Sequence, residues 1–212
     1  MDTPEAIAAE YLKRGATINI ESAVSRGWTL VRDNMAVLIL ASVLAWLIWI
    51  GLSAFPIVGW AVGIVLVGGL DYLIVRRIRG EAVQVGDVFA GFNRCFLNLA
   101  LAGIIKYVLV TCGLILCLIP GIYLAVGYVF ALPLVIDKQM EFWPAMEVSR
   151  RVVHHHWWSI LALVIVLWIV AIIGFLACIV GAVITVPIAN AAFMYVYEDI
   201  FGEKAAAAAP SA

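Results

Sequence analysis

Apolar and polar positions follow two rhythms along this chain, and the pair recurs three times. The first is the i, i+3, i+4, i+7 stripe of an amphipathic helix; the second is an apolar run long enough to fold back on itself. In the first unit Ile20, Ala23, Val24, Gly27, Trp28, Val31 and Met35 make the stripe, with Arg26 and Arg32 on the opposite side, a helix suited to the membrane interface, to packing on its own bundle or to both. Met35 to Phe55 reads as a span, Pro56 as the turn, and Ile57 to Val75 as the return, stopped by Arg76-Arg77-Ile78-Arg79-Gly80. In the second unit Val85, Val88, Phe89, Phe92 and Phe96 repeat the stripe, and Leu97 to Asp137 is the hairpin. Its reversal falls at Leu118-Ile119-Pro120-Gly121-Ile122, where proline ends one helix and glycine offers a permissive backbone. The return arm, Gly121 to Ile136, rises only about 24 Å, so its tip is expected below the far headgroups or in a thinned bilayer. Pro133 bends its end. In the third unit Phe142, Ala145, Met146, Ser149, Val152 and Val153 form the stripe, Pro144 opens the helix, and Glu147 can pair with Arg151 at i, i+4. Trp157 to Cys178 and Ile179 to Tyr197 are the last two spans, closed by Glu198 and Asp199. A short helix over residues 4–13, stopped at Gly15, precedes all three.

These elements predict an all-α, polytopic membrane protein: six transmembrane helices as three hairpins, each led by a cytoplasmic, interfacial amphipathic helix. The domain is single, residues 1–204, with units at about 20–80, 81–138 and 139–204 and a disordered Ala-rich tail at 205–212. Asn34, Asn98 and Ser159 hold equivalent places, 64 (98 − 34) and 61 (159 − 98) residues apart, which predicts a pseudo-threefold arrangement of hairpins. Composition agrees: 66% of residues are hydrophobic, 13% are charged and the mean hydropathy is +1.10, where a soluble domain is nearer a quarter charged. The four cysteines form no CxxC pair and lie in or beside apolar runs, as small hydrophobes do. No leader-like N-terminal segment is evident, since Met1-Asp2-Thr3-Pro4-Glu5 is acidic.

Charge placement sets the orientation. Of 13 Lys and Arg, only Lys106 falls inside a span, and the turns at 52–59, 117–122 and 178–182 carry none. The positive-inside rule therefore puts both termini and the three amphipathic helices in the cytoplasm.

Three stretches carry a family resemblance: Ser25-Arg26-Gly27-Trp28, the run from Leu118 through Pro133 to Asp137, and Phe142-Trp143-Pro144-Ala145-Met146-Glu147-Val148-Ser149-Arg150-Arg151. Together they resemble a broad group of bacterial integral membrane proteins that includes YciC-like proteins and the membrane domain fused to some glycerophosphoryl diester phosphodiesterases. The resemblance implies a membrane module whose motifs are structural. The phosphodiesterase chemistry of the fused members belongs to a separate soluble domain, and none of it carries over to these residues.

Candidate chemistry is sparse. With the third span starting at Leu97, Lys106 lies about 13 Å deep in a roughly 30 Å core, where a lysine costs on the order of 3 kcal/mol. Asp71 lies about 7 Å inside the cytoplasmic boundary, within reach of a snorkelling lysine. A Lys106–Asp71 pair, or a polar intramembrane site that adds Asn190 and Tyr72, is the candidate, with a structural ion pair as its plain alternative. Arg26, Arg32, Arg150 and Arg151 are candidate lipid-headgroup contacts, or ordinary topology-setting charge. His154-His155-His156 points its rings about 100° apart and makes no chelating face, so no metal and no cofactor are expected. No nucleophile–base pair or phosphate loop appears. The expected role is non-enzymatic: organising or associating with membrane lipids or partner proteins at the cytoplasmic interface, with a second copy or another membrane protein as partner and no nucleic acid. The alternative is a small-molecule or lipid transporter working through Lys106 and Asp71. A membrane enzyme comes last.

Overall fold

The computed structural model describes residues 3–15, 18–52, 54–176 and 179–202; the Ala-rich tail lies outside them, as does Cys178. The chain is all-helical, with no strand among the described residues. In order come α1 (Pro4–Lys13), α2 (Ile20–Asp33), α3 (Met35–Leu52), α4 (Pro56–Ile78), a 3-10 turn (Val85–Phe89), α5 (Ala90–Arg94), α6 (Phe96–Leu116), α7 (Leu118–Gly127), α8 (Ala131–Asp137), α9 (Phe142–His155), α10 (Trp157–Leu176) and α11 (Ile179–Phe201). Among the described residues four stretches are long and apolar enough to cross a membrane: Met35–Leu52, Phe96–Leu116, Leu118–Asp137 and Trp157–Leu176. Their outer sides carry exposed Leu47, Ile115, Trp168 and Phe175, as lipid-facing helices do.

Local chemistry sets the helix ends. The Thr3 side chain accepts from the Ala6 N–H with Pro4 in the first turn, and the Asn19 side chain accepts from the Ser22 N–H at 2.9 Å. Alpha4 stops where the charge run predicted. Gly80 takes φ +86°, its N–H bonds the Arg77 carbonyl, and the Glu81 N–H reaches back to the Arg76 carbonyl. This left-handed cap needs glycine, and it leaves Arg79 pointing off the helix end.

Close backbone approaches knit the helices together. A Cβ on Gly27 would sit 2.8 Å from the Ala192 nitrogen, where α2 packs along α11. Alpha2 therefore spends its apolar stripe on its own bundle: Ala23, Gly27, Leu30 and Val31 are buried, while Trp28 stays exposed. Alpha9 does the same, burying Ala145, Met146, Ser149, Val152 and Val153. The second unit lacks such a helix. Its stripe is a 3-10 turn followed by a five-residue helix that breaks at Cys95, and Phe89, Phe92 and Phe96 stack on one another at 5.8–6.2 Å.

The second hairpin differs from expectation in three further ways. The chain reverses at Cys117, a single extended residue, and Pro120 and Gly121 lie inside α7. Gly121 instead lets α7 touch α6: a Cβ on Gly113 would come 3.0 Å from the Gly121 Cα. The return arm breaks at Tyr128–Phe130, where the Ser149 hydroxyl donates to the Gly127 carbonyl and accepts from the Phe130 N–H. Finally, α9 runs antiparallel along α7, so that Tyr123 meets His154 through an Oη···Nδ1 contact of 3.0 Å and stacks on Trp157. Three equivalent upright hairpins would put Tyr123 and the start of α10 toward opposite faces, on the order of 20 Å apart. The second hairpin leans onto α9 and α10.

Candidate functional site

The densest polar site joins the ends of the three returning helices, α4, α8 and α11. Arg79, freed by the glycine cap, grips Asp137 with two hydrogen bonds (2.6 and 2.9 Å) and Glu198 with bonds of 3.0–3.3 Å. Tyr197 donates its hydroxyl to Asp137 at 2.9 Å, and the Lys138 ammonium stands 3.7 Å from the same carboxylate. The Asp137 and Glu198 side chains are only 2% and 7% exposed. Burial works against the Arg79 charge, but its hydrogen bonds to Asp137 and then Glu198 outweigh it and raise the guanidinium further above its ordinary value. Behind the cluster Phe130 stacks on Phe193 at 4.9 Å and meets Tyr197 and Phe201, closing it off with aromatic rings.

Sequence reasoning singled out none of Arg79, Asp137, Tyr197 and Glu198. The signal was present, because each unit's returning arm ends in a charge, and the partners lie 58 and 119 residues apart along the chain. It was hidden by taking α11 to stop near Tyr197. The helix runs on to Phe201 and turns Glu198 inward.

The predicted site residues are dispersed. Asp71 is buried and Lys106 half-buried, and their charges act on each other through space. Among the described residues neither makes a hydrogen bond or a contact ion pair. Tyr72 belongs elsewhere: its hydroxyl accepts from Arg94 at 2.7 Å, and the Arg94 guanidinium lies 4.6 Å over its ring, in a surface hollow with Arg76, Glu81 and Asp87. Asn190 faces a third place, an apolar crevice between α10 and α11 lined by Val129, Leu167, Trp168 and Phe193.

The four arginines read as lipid contacts all have protein partners. Arg26 holds Asp199 through both guanidinium nitrogens and covers the Tyr195 ring. Arg32 leans on Asp33 at 3.3 Å and stays exposed. Arg150 and Arg151 share Glu147, the latter at the foreseen i, i+4 spacing (2.7 Å), and Arg151 also reaches Glu5 on α1 at 2.6 Å. The Arg150 and Arg151 bonds hold the Glu147 carboxyl below its ordinary range against the opposing effect of burial. Among the described residues no cluster of His, Cys, Asp and Glu is arranged to hold a metal.

Comparison with protein-family models, with curated proteins and with solved structures found no match for this chain.

Proposed function

We propose that this protein is a non-enzymatic, multi-pass protein of the bacterial inner membrane that organises lipids or partner proteins at the cytoplasmic face. One observation carries this reading: long helices present exposed apolar sides, while a buried ionic cluster gathers charge at the ends of α4, α8 and α11. That separation suits a lipid-embedded body with a rigid, charged shoulder. Six helices cross or enter the bilayer. Alpha3–α4 and α10–α11 are upright hairpins, and α6 with α7–α8 is a leaning hairpin whose tip stays within the membrane. Both termini remain cytoplasmic under either course of the second hairpin.

Labelling of single-cysteine variants with an impermeant thiol reagent outside intact cells tests the arrangement. A cysteine at Phe55 should react, one at Glu81 should not, and native Cys117 should be protected. Reaction at Glu81 would overturn the orientation, and reaction at Cys117 as fast as at Phe55 would stand the second hairpin upright. Recovery of the chain in the soluble fraction without detergent would end the whole reading.

A second reading, transport, rests on Lys106 and Asp71 facing each other across α6 and α4 without direct contact, as residues of a polar path do. Its mark is a substrate-dependent thermal shift that Lys106→Met abolishes.

A further inference from the structure

The leaning hairpin leaves a groove where α1, α7, α9 and the start of α10 meet. Two adjoining cavities of about 400 and 610 Å³ share Tyr123, His154 and His155. One end of the groove is polar, with Arg150, Arg151 and Glu5; the other is apolar, with Ile119, Trp157 and Trp158. We propose that this groove seats one anionic phospholipid, with its phosphate among Arg150, Arg151 and the histidines and its upper acyl segment against the tryptophans. The proposal rests on the membrane reading above and names the lipid class that the cytoplasmic shoulder selects.

Four features point to that occupant. The division into a basic end and an aromatic end has the shape of a headgroup joined to a chain, and tryptophan and histidine rings suit the headgroup level. The arginines are held for it: Glu147 orients both guanidinium groups on one helix face, and each side chain keeps about a third of its surface open. The first turn of α10, Trp157 to Ser159, opens into the groove, so the positive end of a 20-residue helix faces the same space. The Trp157 ring is fixed in the groove wall, stacked on Tyr123 and edge-on to Trp158, so the apolar end is a set aromatic surface. Local charge also selects against neutral lipid. Glu5 and Glu147 already hold Arg150 and Arg151, so a phosphate gains by sharing the remaining guanidinium N–H donors, whereas the cation of a zwitterionic headgroup would lie beside the same guanidinium groups and gains less.

The test uses the full chain purified in mild detergent and placed in vesicles of phosphatidylcholine containing a minority of phosphatidylglycerol. Lipid bound through native mass spectrometry and quenching of tryptophan by brominated phosphatidylglycerol or brominated phosphatidylcholine are the two readouts. The wild type should hold one phosphatidylglycerol and show stronger quenching by its brominated form. Arg150→Gln should lower that preference about fivefold, the effect of losing roughly one charge contact at a membrane surface, and His154→Ala/His155→Ala should lower it in the same direction through lost hydrogen bonds. Arg94→Gln, in the separate hollow beside Tyr72, should leave it unchanged.

Equal preference in the groove variants and the wild type would overturn the site, as would equal binding of both lipids by the wild type. Full competition by inorganic phosphate would show a free-phosphate site and overturn the lipid assignment. Should Arg150→Gln fail to fold, the histidine pair alone decides. Failure of the groove leaves the chain in the membrane fraction, whereas failure of the membrane reading would show earlier as soluble chain.

Discussion

Two of the charge groups in this protein, those around Arg79 and Lys106, are treated in opposite ways. Around Arg79 every carboxylate is matched: five hydrogen bonds join the guanidinium to Asp137 and Glu198, and Tyr197 adds a sixth. Around Lys106 the two charges sense each other at a distance and share no bond. The first group sits where three helix ends converge, and short side chains with a planar fork can close the geometry. The second joins the middles of two helices, α4 and α6, and a single flexible lysine must span the gap. A satisfied cluster fixes an arrangement of helices; an unclosed pair leaves room for water, an ion or movement. The contrast separates a closed ionic cluster from a pair of charges that do not touch.

Arg79→Met breaks the comparison most sharply. It strands two buried carboxylates, so a loss of about 3–5 kcal/mol is expected, read as a large drop in melting temperature in detergent or as failure to accumulate. Asp137→Asn keeps the shape, removes one charge and should cost less, on the order of 1–3 kcal/mol by the same melting measurement. Lys106→Met and Asp71→Asn form a double-mutant cycle on the unclosed pair. Their coupling is expected near 1 kcal/mol, with the double variant at least as stable as either single one. Coupling as large as that of the Arg79 cluster would make Lys106 and Asp71 a structural pair after all.

The smallest effect belongs to Glu147, which is partly exposed and shared by two arginines. Glu147→Gln should cost less than about 1 kcal/mol. Its folded-state carboxyl is held below the ordinary 4.5, so this contribution is complete above about pH 4.5 and fades as the pH falls through the lower folded value. A melting curve followed from pH 7 to pH 4 should therefore show a wild-type excess over Glu147→Gln that shrinks only at the acid end.

Much of the scaffold was readable from periodicity. Alpha3, α6, α10 and the Gly80 cap lie where the apolar runs and the Arg76–Gly80 stop put them, because span length and helix caps are properties of neighbouring residues. The stripes of α2 and α9 were also legible, and of the two surroundings open to them the chain's own bundle is the one they use, α2 on α11 and α9 against α1, α8 and α7. Pro120-Gly121 misled for a related reason. The pair is a turn signal by local propensity, yet Gly121 is needed where α7 touches Gly113.

The candidate site was less legible. Lys106 and Asp71 stood out as charges in apolar runs and do sense one another, while Tyr72 and Asn190 share only their depth with them and turn to Arg94 and to α10. Arg79, Asp137 and Glu198 were visible only as flanking charge.

The amino-acid pattern alone determined that this chain is helical, that its long apolar stretches suit lipid and that its charges gather beside the helix ends. Each of these follows from interactions within a few residues or from bulk transfer into an apolar medium. Only the tertiary structure decided which charges neutralise which, that α9 and the second hairpin lean together, and that Lys106 and Asp71 make no direct contact. Those outcomes depend on contacts between residues as many as 173 positions apart, for which local periodicity carries no information.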